Sequence, residues 1–190
     1  MSNKRSDRSP PAAHAALACL FAALCCAGAF ISIPIPVSPV PLALSNFFSV
    51  LGGLLLGPFW GAISSALYLL VGALGFPVFS GGRGGIAHLA GPTGGYLAGY
   101  VLGSALAGFL AAKRGAILSA VASVVGFAAI LVLGAIGLKL IGGIAWPKAL
   151  AIGILPFLPG DAVKAVLAII ISRRLGPFVD SLKPGSVPNA

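Results

Sequence analysis

Charge of one sign is almost missing from this chain. Three acidic residues stand against twelve lysines and arginines in 190 residues, and only 8% of positions are charged. A soluble domain carries about 25%, so this sequence cannot cover a water-facing surface. Cysteine is scarce as well, and Cys19, Cys25 and Cys26 all fall in the first hydrophobic run. They give no disulfide framework, and His14 and His88 lie too far apart for zinc spacing. Buried apolar thiols are expected. The phosphate loop G-x-x-x-x-G-K-[ST] is absent, as are H-E-x-x-H and any nucleophile–histidine–acid set. An enzyme, a resident cofactor and a metal are therefore not expected, and this chain does not hydrolyse ATP.

Apolar residues fill the gap: 58% of the chain is hydrophobic, with a mean hydropathy of +1.08. This composition reads as an all-α integral membrane protein in a lipid bilayer. Six passes of about 20 residues use most of the length. Residues 1–14 form a basic cytoplasmic leader, 15–174 the membrane domain and 175–190 a cytoplasmic tail. The leader is expected to be retained, because a signal-peptide h-region here runs too long and leads into further membrane segments. The net charge of +9 does not call for nucleic acid, since lysines and arginines gather beside membrane segments, where they set orientation. Lys4, Arg5, Arg8, Lys113, Arg114, Arg173, Arg174 and Lys183 would face the cytoplasm. Arg83, Lys139 and Lys148 would lie outside, which puts both termini inside the cell.

The first segment, about Ala15 to Ile33, carries a stripe of small residues, Ala15, Ala18, Cys19, Ala22, Ala23, Cys26 and Ala27, opposite Leu17, Leu20, Phe21 and Leu24. Such a stripe lets another helix approach closely in lipid, either a partner's or one of this chain. ISIPIPVSPVP at 31–41 cannot be helical, because prolines recur at 34, 36, 39 and 41. An extended outer loop follows from that. The run from Leu42 to Leu56 is short, about 22 Å of helix against a core of roughly 30 Å. Short helices beside proline-rich segments point to binding sites. Gly57-Pro58 makes an inner turn. Segments three, four and five run from about Phe59 to Leu74, Gly95 to Ala112 and Ala116 to Ile141. Trp60 is an interfacial anchor and Trp146 belongs to the last outer loop. Segment six is broken at Pro156 and Pro159-Gly160.

Between segments three and four lies FPVFSGGRGGIAHLAGPTGGYLAGY at 76–100, with seven glycines between Ser80 and Tyr96. No ordinary helix or strand is expected there. Irregular backbone at membrane depth is tolerated only where protein buries it or where it lines a wet cavity. This loop therefore reads as a cavity wall.

Asp161 and Lys164 form the one acid–base pair inside a membrane segment, and at i, i+3 they share a helix face. Counting back from Arg173 puts them about 18 and 13 Å up the helix. Ionised side chains at such depth cost about 2.5–3.5 kcal/mol on insertion scales and are functional by default; a self-neutralising structural pair is the alternative. Arg83 among its glycines suits a carboxylate in a fork, or is an exposed loop arginine. Tyr96 either contacts a ligand or anchors at the interface. Asn46 either hydrogen-bonds a ligand or caps its helix. His88 is taken as a structural loop residue.

Three blocks now stand in order: IPVSPVP at 35–41, GGRGG with LAGPTGGYLAG at 81–99, and LPFLPGDAVKAVLA at 155–168. In motif, order and spacing the chain resembles the BioY family, the biotin-binding S components of energy-coupling-factor transporters, from about Ala15 to Arg174. The resemblance implies a six-helix S-component fold whose glycine- and proline-rich outer loops form the ligand cavity. It implies a site built from Asp161, Lys164, Arg83, Tyr96, Asn46 and Gly94. Biotin's ureido N–H groups would go to Asp161 and its valerate carboxylate to Lys164 or Arg83. It further implies a transmembrane T component docking on Ala15, Ala18 and Ala22, two ATPase subunits and location in the cytoplasmic membrane. A solitary or oligomeric facilitator, or an S component for another small carboxylated vitamin, are the alternatives. The chain departs from the family after PVP, where Ala43-Leu44-Ser45 replaces a pattern close to Thr-Leu-Gln.

Overall fold

The computed structural model describes residues 11–112 and 115–181. Within them the chain is almost wholly helical: α1 Pro11–Phe30, α2 Ser45–Leu56, α3 Pro58–Ala73, α4 Ile86–Leu89, α5 Gly94–Ala111, α6 Ala116–Leu140, α7 Trp146–Gly153 and α8 Leu158–Ser181. Of the leader and tail, residues 1–10 and 182–190 lie outside this description, as do Lys113 and Arg114. The basic residues 4, 5, 8 and 183 that enter the charge argument lie outside it too.

Three helices are long and apolar enough to cross a bilayer: Ala12–Phe30, Gly94–Ala111 and Ala116–Leu140. A fourth span results if α7 and α8, bent by 50° at the break between them, count as one. Six membrane helices are expected, and the described residues supply three or four spans of full length. α2 has 12 residues and α3 has 16, both short of about 20. The cause lies at their ends. Residues Ser32–Ile33 (β1) pair antiparallel with Leu42–Ala43 (β2), so the chain is still extended where α2 was expected to begin. At the other end Gly57, with φ +84°, turns the chain directly into Pro58 at the start of α3.

The tightest pair is α5 against α6. A Cβ added at Gly99 would lie 2.8 Å from the Cα of Ile130, and one at Gly103 would meet the carbonyl oxygen of Gly126 at 2.6 Å. Glycines 95, 99 and 103, each one turn apart, let the backbones touch as small-residue seams do in lipid. Polar contacts hold α2 to its neighbours. Ser49 Oγ hydrogen-bonds Ser65 Oγ at 2.8 Å and donates to the Tyr100 carbonyl at 3.0 Å; Ser65 Oγ donates to Ser104 Oγ at 3.2 Å.

Four expectations are corrected. Ala18 (0% exposed) and Ala22 (7%) face the core, packed toward α2 and α3, and do not form an outer docking stripe. Ala15 lies at its flank, half-buried, while Ala12, Ala16, Cys19, Ala23 and Ala27 occupy the exposed face. Of the three thiols only Cys25 is buried, and Cys19 is exposed. One helical turn, α4, forms inside the glycine loop over Ile-Ala-His-Leu, the stretch of that loop free of glycine. Trp146 opens α7 and is not a loop residue, because Pro147 suits a first helical turn.

Candidate functional site

Asp161 sits in the first turn of α8, just past the bend, and Lys164 lies one turn further on. Asn46 comes from the first turn of α2, which the β1–β2 ladder and the proline loop carry to the same level. Its side chain caps nothing. Asn46 Nδ2 donates to Asp161 Oδ1 at 3.0 Å, and Asn46 Oδ1 accepts from Lys164 Nζ at 2.8 Å. Lys164 Nζ also donates to the Ala43 carbonyl at 2.7 Å and to Asp161 Oδ1 at 3.2 Å. An ammonium has three N–H donors, so Lys164 is saturated. Asp161 is not: its Oδ2 is buried with no hydrogen-bond partner. A buried carboxylate oxygen left unpaired is costly, and such groups are rare enough in folded proteins to call for a partner from outside the chain.

That oxygen belongs to a residue that lines a cavity between α2, α5, α6, α8 and the outer loops. Tyr96, Tyr100, Phe157 and Leu131 supply its apolar walls; Phe79, His88 and Arg83 lie at the glycine-loop side. Tyr96 is locked in place. Its hydroxyl donates to the Gly153 carbonyl at 2.7 Å, and its ring lies where a Cβ on Gly134 would be. Tyr100, one turn on, hydrogen-bonds Ser45 Oγ at 2.8 Å and stacks on Tyr68. The loop turns back on itself through an isolated bridge between Phe79 and Arg83, helped by Gly81 and Gly82 at φ +79° and +71°. The space open to the centre of a water molecule is about 50 Å³, against about 300–1,000 Å³ for small-molecule sites. A vitamin-sized ligand therefore enters only if these walls move outward.

The pattern of the BioY family matches residues 1–181.

The chain belongs to the BioY family.

It is 43% identical over 164 residues to a probable biotin transporter BioY of Pyrococcus horikoshii, covering 86% of this chain and 96% of that one. To the biotin transporter BioY of Thermotoga maritima it is 42% identical over 158 residues, with 82% and 91% covered. A crystal structure of the S-component for biotin from an ECF-type ABC transporter superposes with a TM-score of 0.81 at 31% identity, covering 92% of this chain and 94% of that one.

Among the residues expected at the BioY site, Asn46, Asp161 and Lys164 form one hydrogen-bonded cluster, and Tyr96 walls the same cavity. Arg83 is exposed at the mouth, with no ion-pair partner among the described residues. Gly94 is different. It does not line the cavity; a Cβ there would overlap the Leu89 carbonyl, so it serves the close α4–α5 junction. His88 is more than a loop spacer, since it lines the cavity with its ring stacked on Phe79 at 5.3 Å. Tyr100 and Phe157 went unnoticed in the sequence. Their signals were the i, i+4 pairing of Tyr96 with Tyr100 and the lone aromatic in LPFLP.

Proposed function

We propose that this chain is the biotin-capturing S component of an energy-coupling-factor transporter, taking biotin from outside the cell for uptake. The observation that carries this reading is the unpartnered, buried Asp161 Oδ2 beside a lysine whose donors are spent. With Oδ1 already accepting from Asn46 and Lys164, one ureido N–H goes to Oδ2, and Asp161 does not receive both. With Lys164 saturated, the valerate carboxylate goes to Arg83, whose fork suits it. Tyr96, Phe157 and Leu131 enclose the apolar middle of the ligand.

The polypeptide passes six times, with α2, α3 and the bent α7–α8 unit completing the three long spans. Both termini lie in the cytoplasm and the glycine loop faces outward. A transmembrane T component docks on the exposed small-residue face of α1, around Ala16 and Ala23, and two ATPase subunits supply the energy. Equilibrium binding of biotin to the purified chain, with other carboxylated vitamins as competitors, tests the ligand. Absence of biotin binding at micromolar concentration would overturn it.

A further inference from the structure

Outside the deep cavity lies an open groove that shares part of its lining with it. The proline loop and the glycine loop form its walls. Ser32, Ile35 and Ser38 line only this outer space, whereas Pro39, Pro41, Ser80 and Arg83 line both and so form the partition. Exposed Arg83 borders both spaces, whereas Asp161, with its unpaired carboxylate oxygen, lines the inner space and not the outer one.

Charge separates the two spaces as well. The chain has three acids. Asp161 is engaged with Lys164 at the deep site, and Asp180 lines a cleft with Gly57 and Gly108 at the opposite end of the bundle. Asp7 lies outside the described residues. Antiparallel packing of Gly95 on Gly137 brings the last turn of α6, with Lys139, to the end where Arg83 lies. Among the described residues this end holds cations without an exposed acid. A cleft lined by one sign of charge over low-dielectric walls concentrates the opposite ion.

We propose that the outer cavity is an encounter site in which the carboxylate of the incoming ligand pairs first with Arg83, before the partition opens and the rest of the ligand passes to Asp161. This rests on the reading of the chain as a biotin-binding S component. Arg83 is the pivot: one guanidinium, accessible from both spaces, holds the same carboxylate throughout the transfer. Ser32 and Ser38 line the outer position only.

Association and dissociation rates of biotin, and of its uncharged methyl ester, are to be measured on the full chain in zwitterionic nanodiscs. Ser32→Asp is expected to slow biotin association by about 3- to 10-fold and Ser32→Lys to speed it, as charge on an approach path does. Dissociation stays within about 2-fold, since most bound-state contacts act on that rate. The charge effect fades in 1 M salt, Ser32→Asn is silent, and the methyl ester responds to none of the variants. The same Asp and Lys changes at Ile35 repeat the test should Ser32 variants fold poorly. Biotin binding with association rates blind to these charges overturns the encounter site alone. Equal slowing of the methyl ester also overturns it. No biotin binding to the unmodified chain overturns the proposed function and the encounter site together.

Discussion

Asn46 and Asp161, 115 residues apart in the chain, share a 3.0 Å hydrogen bond in the interior of the bundle. Through its amide Asn46 donates to Asp161 and accepts from Lys164, so three polar side chains neutralise and orient one another. What remains over is one carboxylate oxygen. The cluster braces Asp161 while leaving Oδ2 without a hydrogen-bond partner.

Asp161→Asn is expected to weaken biotin binding by about 10- to 150-fold, the size of a hydrogen bond to a charged group. It also strands Lys164, so the double variant Asp161→Asn/Lys164→Met is the necessary companion. Folding should recover in it while binding does not. Wild-type affinity in a well-folded double variant would remove the pair from the site.

On α1 the two faces should respond differently. Ala18→Trp or Ala22→Trp overfills a packed interior and should lower thermal stability and yield without any partner present. Ala23→Trp, on the exposed face, should keep biotin affinity and lose co-purification with the T component. A stable Ala22→Trp protein, or an intact complex with Ala23→Trp, contradicts this assignment of faces.

The sequence left that face open for a physical reason. The small-residue stripe is wide enough to hold both buried Ala18 and Ala22 and exposed Cys19, Ala23 and Ala27, so spacing alone does not say which part of it faces outward. Long elements were far more legible: α6 runs over 116–140 against an expectation of 116–141, because a 25-residue run interrupted only by Ser119, Ser123 and Lys139 reads as one long apolar helix. Asp161 and Lys164 stood out because ionised groups are rare in apolar runs. The part played by Asn46 did not, since its partners lie on a helix made more than a hundred residues later. The shortness of α2 and α3 was half visible; the ladder at Leu42–Ala43 that shortens α2 depends on pairing across a loop.

Tyr96 gives a test of the cavity wall. Gly134→Ala puts a methyl group into the Tyr96 ring and should destabilise the protein by about 1–3 kcal/mol, with weaker biotin binding. Tyr96→Phe keeps the ring and leaves the Gly153 carbonyl unpaired, a loss of about 1–3 kcal/mol. Melting temperature in detergent reads both. Unchanged binding in a folded Gly134→Ala protein would take Tyr96 out of the wall.

Orientation is open to labelling. With Cys19, Cys25 and Cys26 replaced by alanine, a cysteine at Ile86 should react with an impermeant thiol reagent from outside. One at Leu175 should not. The reverse pattern would place the glycine loop in the cytoplasm and defeat capture from outside.

His88 makes the glycine loop sensitive to acid. Burial, with the nearby Arg83 adding to it, holds the imidazole below its ordinary value of 6.5. The folded chain then binds fewer protons there than the unfolded one, so stability is full above about 6.5 and falls as pH drops toward the lowered value. The melting-temperature difference between wild type and His88→Asn should shrink on acidification below 6.5. A difference that stays level from pH 5 to 8 would contradict it.

The hydrogen bonds that hold α2 also constrain how the protein is made. Ser45, Asn46 and Ser49 find their partners on Ser65, Tyr100, Asp161 and Lys164, all of them later in the chain. A ribosome delivers α2 before all of them, shorter than the bilayer core and with its polar groups unmatched. In hydrocarbon such groups are costly to leave unpaired. Stable seating of α2 must therefore wait until α8 has been synthesised, and a nascent chain truncated before Asp161 keeps its second helix unsettled at the membrane.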